Sequence, residues 1–378
     1  MQTRRLGIRT LSILLALPLA GCATLPSATT PRSGPIAWTD GVPGATDADC
    51  PAFDAVTGGD GGWWFSGPDC LIYAAVDERQ AAIYPFRSAD WRLDRVDGLV
   101  AGNDGVVWAA GRQRAETSVR AVIGEFRAGR ATVDSPERWG LSGVLVNAFA
   151  GPRGGAPWAV GRRMGAGPSL FVAHWEGEAW TALDTARFGA GELLDVDFAA
   201  DGCGWFVGRD SAGAGVLIRY DGSTLRKEVL DRADGVPTRV AALSCSDLWL
   251  GGHSAIRYAE GHREEIQFGE NAELNGLAVC PDGDLLLVGE RIATEPEMEG
   301  RRVGFSFRVR GGGATVLPVQ LPFAVDDWRL ADVSCDADGA WAVGAAVARV
   351  SAATPPERRA LVLRLGEDGW RYRGWAYR

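Results

Sequence analysis

The chain has 378 residues, with 39 basic and 48 acidic side chains, 51 glycines and 15 tryptophans. The net charge of −9 argues against a nucleic-acid-binding protein, because a surface that binds phosphates needs a positive field. Hydrophobic residues make up 46% of the chain, which is too many for a disordered protein. The chain is too long to fold around one ordinary small core, but a repeat fold or a large all-β domain could accommodate it as a single unit.

Residues 1–21 are typical of an export signal. Three arginines precede an apolar run of about ten residues, which is half of the roughly 20 that a membrane-spanning helix needs. The run ends in Leu19-Ala20-Gly21-Cys22, which resembles the lipobox of bacterial lipoproteins. The resemblance implies cleavage before Cys22, lipidation of Cys22 and stable anchoring in a membrane of the cell envelope. In such lipoproteins an Asp directly after the cysteine favours retention in the inner membrane. This chain has Ala23 there, which favours the outer membrane. An ordinary secretory signal with a chance cysteine is the alternative.

Residues 22–48 are predicted to form the lipidated cysteine and a tether, because residues 23–35 are rich in Pro, Ser and Thr. Residues 49–378 are predicted to form the folded domain. Within the tether, Ile36-Ala37-Trp38-Thr39 is similar to an outer strand. It could pair with the last repeat, although Trp370–Ala376 competes for the same place.

A Trp-x-x-Gly element recurs along the folded domain at intervals of 37 to 55 residues. Its copies are Trp64–Gly67, Trp108–Gly111, Trp158–Gly161, Trp205–Gly208, Trp249–Gly252 and Trp341–Gly344, with Leu286–Gly289 as the seventh. A short strand and a tight turn precede each copy, the turn being Asp-Gly in five of them, and alternating strands follow. The pattern predicts an all-β fold, a seven-bladed β-propeller of four-stranded antiparallel blades closed into a ring. The recurring tryptophan is expected to pack between blades.

The unit Leu193–Gly222 resembles the repeat of Asp-box and photosystem-II-assembly-factor-like propellers. It has a strand, an Asp-Gly turn, a Gly-Trp-x-Val-Gly strand and a further strand that ends in Asp-Gly. The resemblance implies a propeller and often an assembly or binding role, but no single activity. No blade carries the full Asp-box pattern.

Catalytic motifs are absent from the sequence. It contains no G-x-S-x-G elbow, P-loop or H-E-x-x-H motif, and its three histidines lack metal-ligand spacing. We therefore predict no cofactor and no catalytic residue, and the sequence leaves a metal site undetermined.

Seven polar residues lie 9 to 11 positions before each repeated Trp or Leu286, at the start of each inner strand. They are Asp54, Asp97, Asn147, Asp195, Arg239, Asn275 and Asp332. In a closed ring they would surround one mouth of the central channel and could bind a cation or a basic peptide loop. Alternatively, they cap exposed backbone where each blade begins, which we favour. Arg112, Arg162 and Arg209 follow the motif glycine and could pair with the acids.

Six cysteines remain besides Cys22, an even number that suits an oxidising envelope compartment. Cys50 and Cys70 are predicted to pair at the mouth. Cys203, Cys245, Cys280 and Cys335 lie near the inner turns of consecutive blades, on the opposite face. There we favour Cys203–Cys245 and Cys280–Cys335, with Cys245–Cys280 or four free thiols as alternatives.

These observations favour a membrane-anchored scaffold without enzymatic activity, which binds another envelope protein or a polysaccharide but not nucleic acid. The alternative is an Asp-box-type propeller that binds or hydrolyses glycans. A third hypothesis is a hydrolase that uses the acidic mouth. A deep pocket with unpaired carboxylates would favour an enzyme, whereas a flat ring of paired charges would favour the scaffold.

Overall fold

The computed structural model describes residues 36–40, 50, 52–59, 62–68, 70–75, 81–85, 88, 90–102, 105–114, 118–152, 155–165, 167–231, 234–259, 262–269, 271–296, 298–348 and 356–377. The predicted signal, Cys22 and most of the predicted tether lie outside these residues. Within this part of the chain no helix is long and apolar enough to cross a membrane.

The described residues form seven sheets, each built from strands that follow one another in sequence. Strand β1 (Ile36–Asp40) comes first and joins the last sheet. Blade 1 contains β2 (Ala55–Gly59), β3 (Gly62–Gly67), β4 (Cys70–Ala75) and β5 (Ala81–Pro85). Blade 2 contains β6 (Arg95–Ala101), β7 (Val107–Arg114), β8 (Val119–Arg127) and β9 (Arg130–Asp134). Blade 3 contains β10 (Val144–Ala150), β11 (Trp158–Arg163), β12 (Ser169–Trp175) and β13 (Trp180–Ala182).

The remaining blades repeat this order. Blade 4 contains β14 (Gly191–Phe198), β15 (Gly204–Asp210), β16 (Gly215–Tyr220) and β17 (Leu225–Glu228). Blade 5 contains β18 (Arg239–Ala242), β19 (Asp247–Gly251), β20 (Ser254–Ala259) and β21 (His262–Gln267). Blade 6 contains β22 (Ala272–Val279), β23 (Leu285–Ile292), β24 (Arg302–Arg310) and β25 (Gly313–Val316). After β26 (Val319–Gln320), blade 7 contains β27 (Val325–Asp336), β28 (Gly339–Ala348), β29 (Glu357–Gly366) and β30 (Gly369–Tyr377). Short 3₁₀ helices at Pro136–Trp139 and Ala186–Phe188 connect blades.

The first strand of each blade is its inner strand, and the inner strands of consecutive blades pack side by side. Inner strand β27 of blade 7 also packs against inner strand β2 of blade 1, so the ring is closed. The predicted seven-bladed propeller is confirmed. We call the channel end where the inner strands begin the mouth, and the surface around it the mouth face.

Blade 7 accommodates both segments that compete for its outer edge in the sequence. The nine residues of β30 are long enough to pair with β29 at one end and with β1 at the other. Strand β26 adds a short parallel pairing to the first half of β30. The outer edge of blade 7 is therefore covered along its length, and part of the predicted tether, β1, belongs to the folded sheet.

The repeated tryptophans pack between neighbouring blades. Five of these rings are buried: Trp108, Trp158, Trp205, Trp249 and Trp341. Leu286 is buried in the same place in blade 6. The ring of Trp341 in blade 7 lies 5.4 Å from that of Phe65 in blade 1, in an edge contact. Trp64 is half-buried and packs against Phe126 of blade 2, with the ring centroids 5.0 Å apart.

Candidate functional site

A β-bulge in the inner strand positions the mouth residues in most blades. The pairing register of β6, β10, β14, β22 and β27 shifts by one residue opposite the motif glycine. The backbone approaches that glycine so closely that a Cβ on Gly208 would lie 2.1 Å from the carbonyl oxygen of Glu192. Five other motif glycines are equally confined, which gives a physical reason for the recurrence of glycine: Gly67, Gly111, Gly161, Gly289 and Gly344.

The motif glycine of blade 5 is the exception. A Cβ on Gly252 would lie 3.1 Å from the nearest atom, the carbonyl oxygen of Val236.

Six of the seven predicted mouth residues lie at two levels of the inner strands, and Asp54 directly precedes β2. Asp97, Asn147 and Asn275 are the extra residues of their bulges and have no partner in the register. Asp195, Arg239 and Asp332 lie one step further along, opposite the second residue after the repeated tryptophan. The sequence spacing of 9 to 11 residues contains this difference, but only the pairing register reveals it.

Three mouth carboxylates accept hydrogen bonds from the backbone of the next blade. Asp54 accepts from the Val96 amide at 3.2 Å, and Asp195 accepts from the Val240 amide at 2.9 Å. Asp332 of blade 7 accepts from the Val56 amide of blade 1 at 2.9 Å. These bonds join blade 1 to 2, blade 4 to 5 and blade 7 to 1.

At the other four junctions, asparagine or arginine side chains donate the hydrogen bonds. Asn147 donates to the Leu193 carbonyl at 2.7 Å, and Asn275 donates to the Leu330 carbonyl at 2.8 Å. Arg239 donates to the Asn275 carbonyl. At the junction of blades 2 and 3, Arg112 donates to Asp97 at 2.8 Å and to Asn147 at 3.3 Å. At least one hydrogen bond therefore crosses each of the seven junctions, and together these bonds, which we call the inter-blade circuit, involve all seven predicted residues.

Removal from water raises the pKa of the four circuit carboxyls. It raises the pKa of Asp332 to about 7 and that of Asp195 to about 6, while Arg239 and the backbone donors act in the opposite direction. Burial also raises the pKa of Asp54 and of Asp97, and nearby arginines partly offset the effect.

The arginines after the motif glycine are paired, in part with a residue that the sequence did not single out. Arg209 donates to Glu192 with Nε at 2.8 Å, and Arg162 lies 3.6 Å from the same carboxylate. Glu192 lies in β14, three residues ahead of Asp195, and so falls outside the aligned mouth positions. His253 takes the same place in blade 5 and is exposed.

The mouth opens into a central channel with a volume of about 930 Å³, lined by inner-strand residues of every blade. All the predicted mouth residues line it except Asn147, which is buried. Its carboxylates are Asp54, Asp97, Asp195, Asp197, Asp332, Asp336 and Asp338. Arg239 is the one cationic side chain among the described lining residues. The site therefore combines a paired mouth with a deep acidic channel.

The three disulfides follow the favoured pairing. They join Cys50 to Cys70, Cys203 to Cys245 and Cys280 to Cys335, with Cα atoms 6.0, 5.3 and 5.1 Å apart. The last two connect blade 4 to 5 and blade 6 to 7 at the channel end opposite the mouth.

One of these disulfides has an acidic neighbour. Asp201 accepts hydrogen bonds from the amides of Cys203 and Cys245 at 3.1 and 3.0 Å. Asp201 and the two sulfurs are close enough together to hold a metal ion, but the sulfurs are bonded to each other.

No profile of a known protein family matches the chain, and no curated protein is significantly similar in sequence. The chain is similar to one in the crystal structure of the mitotic checkpoint complex, with 12% identity, a TM-score of 0.51, and coverage of 98% of this chain and 99% of that chain. It is also similar to the extracellular domain of the putative one component system BT4673 from B. thetaiotaomicron, with 12% identity and a TM-score of 0.53. That match covers 86% of this chain and 40% of the other, so this chain spans less than half of it. At this identity both similarities show the propeller fold alone.

Proposed function

We propose that this protein is a lipid-anchored scaffold of the cell envelope, whose propeller binds or assembles other envelope components without catalysis. The lipid is attached at Cys22, and the outer membrane is the site that Ala23 favours. The partner is another envelope protein or a polysaccharide.

The observation that carries the proposal is the inter-blade circuit. The polar groups that sequence analysis offered as a ligand ring are used to join blades, which supports a rigid ring more than a reactive centre. The disulfides between blades add further restraint, and structural disulfides are characteristic of oxidising compartments outside the cytoplasm.

Affinity purification from the native envelope tests the proposal. After mild cross-linking, the tagged lipidated protein should recover a reproducible partner, which mass spectrometry identifies. The Cys22→Ser variant is the matched control, because it keeps the propeller and lacks the lipid. It should be released to the soluble fraction or remain uncleaved, and the released form should recover less partner. Identical partitioning of wild type and variant would refute the anchor, and recovery of no partner by either would refute the scaffold.

The glycan hypothesis rests on the channel, whose volume and acidity suit a polar ligand. The exposed surface gives it less support, because sugars are commonly held by stacking on aromatic rings. Among the described residues, the exposed large hydrophobic side chains are valine, isoleucine and methionine, and none is aromatic. Binding on an array of envelope glycans, or release of sugars from them, would favour this hypothesis over the scaffold.

A further inference from the structure

The exposed apolar side chains of the described residues are unevenly distributed over the propeller. Five of the six belong to connections at the mouth face or to strand ends beside them: Val119, Met164, Val229, Ile292 and Met298. The sixth, Val316, ends the outer strand of blade 6. The end of the channel opposite the mouth carries none of them.

These five side chains are spread around the ring. Val119 and Met164 follow the second strands of blades 2 and 3, and Val229 follows the last strand of blade 4. Ile292 and Met298 lie on the other side of the channel, in blade 6. Met164 is 54% exposed and Met298 is 37% exposed, on opposite sides of the ring. A partner that covers them all must extend across the whole face.

The chain also enters the propeller at the mouth face. Ile36 at the start of β1 pairs with Tyr377 at the end of β30, and β30 runs toward the mouth. The 14 residues from Cys22 to Ile36 can reach at most about 50 Å, the length of a fully extended chain. To place the opposite face on the membrane, the tether would first have to run down a blade, whose strands of about seven residues are roughly 23 Å long.

We propose that the mouth face lies on the lipid bilayer, with these apolar side chains in contact with the headgroup region. This inference rests on the proposed lipid anchor at Cys22. It leaves the opposite face, with the Cys203–Cys245 and Cys280–Cys335 disulfides, directed away from the membrane and accessible to a partner.

The two methionines at this face are natural reporters, because the mature protein contains no others: of the three in the chain, Met1 belongs to the signal. Methionine oxidation by hydrogen peroxide follows exposure. The test compares oxidation of Met164 and Met298, measured by peptide mass spectrometry, in lipidated protein on vesicles and in the soluble Cys22→Ser variant. The vesicles contain phosphatidylethanolamine and phosphatidylglycerol.

The matched control is Glu178→Met, an exposed position in the turn between β12 and β13 on the opposite face. On vesicles, Met164 and Met298 should oxidise at least about fivefold more slowly than in the soluble variant, and the methionine of Glu178→Met should change less than about twofold.

Flotation with the vesicles separates the two proposals. Wild-type protein that fails to float refutes the anchor, whatever its oxidation. Protein that floats with unprotected Met164 and Met298, or with equal protection in the Glu178→Met variant, refutes the orientation alone. Protection in the native envelope but not on vesicles would mean that a protein covers the mouth face, and would overturn the lipid assignment.

Discussion

Replacing a motif glycine tests whether the bulge, and with it the inter-blade circuit, depends on close backbone approach. In Gly208→Ala the new Cβ would lie 2.1 Å from the Glu192 carbonyl oxygen and 2.7 Å from the Leu193 Cα. Both neighbours are backbone, so β14 and β15 must separate by about 1 Å to restore ordinary contact. Overpacking of this kind costs about 1–3 kcal/mol. Weakening one or two hydrogen bonds beside Asp195 adds about 1 kcal/mol each, so the free energy of unfolding should fall by about 2–5 kcal/mol.

Gly252→Ala is the matched control, because at the same motif position in blade 5 the new Cβ would lie 3.1 Å from the nearest atom. It should change the free energy of unfolding by less than about 1 kcal/mol. The assay is equilibrium unfolding in guanidinium chloride, followed by tryptophan fluorescence. A loss below about 1 kcal/mol in Gly208→Ala, or equal losses in the two variants, would refute this explanation of the motif.

Three further perturbations address the packing, the disulfides and the circuit. In Trp205→Ala the free energy of unfolding should fall by about 3–5 kcal/mol, because a buried aromatic ring is removed. In Trp205→Phe it should fall by about 1 kcal/mol, because the hydrogen bond from the indole to the Ser244 carbonyl is lost. Unchanged unfolding midpoints in both variants would show that the ring is exposed. In the Cys203→Ala/Cys245→Ala double variant the free energy of unfolding should fall by about 4 kcal/mol, since the wild-type disulfide joins residues 42 positions apart. Non-reducing peptide mapping of the wild type that joins Cys50 to Cys245 would contradict the pairing. Because burial raises the pKa of Asp332 to about 7, the folded protein binds that proton more tightly than the unfolded chain, and the resulting stabilisation is lost as the pH rises through 7. Unfolding at pH 5 and pH 8 should therefore show wild type weakening relative to Asp332→Asn, whereas a constant difference would mean that Asp332 is not buried as a carboxyl.

Blade number and order could be predicted from the sequence, because each blade repeats one tryptophan, one glycine and one tight turn at blade-sized intervals. The cysteine pairing was also accessible. Cys203 and Cys245 lie at the same inner turn of consecutive blades, so the ring places them side by side.

The geometry of the mouth was not accessible from the sequence, since a bulge inserts a residue without a residue type that identifies it. Asp97 and Asp195 differ by only one residue in their distance from the repeated tryptophan, yet they lie at different levels. Glu192 was missed for a related reason: its two arginines come from different blades, and only folding brings them together. The pairing of β1 with blade 7 depends on the length of β30, and the sequence pattern did not determine that length.

The most direct test of the central claim is partner recovery by a variant in which Asp54, Asp97, Asp195 and Asp332 are all replaced by Asn. An amide oxygen accepts the same backbone hydrogen bonds, so the ring should remain folded. If the circuit holds the blades and the partner binds elsewhere, cross-linked recovery from the native envelope should match that of wild type. A variant that stays folded but loses its partner, or loses a measurable calcium affinity, would show that the mouth carboxylates form a binding site.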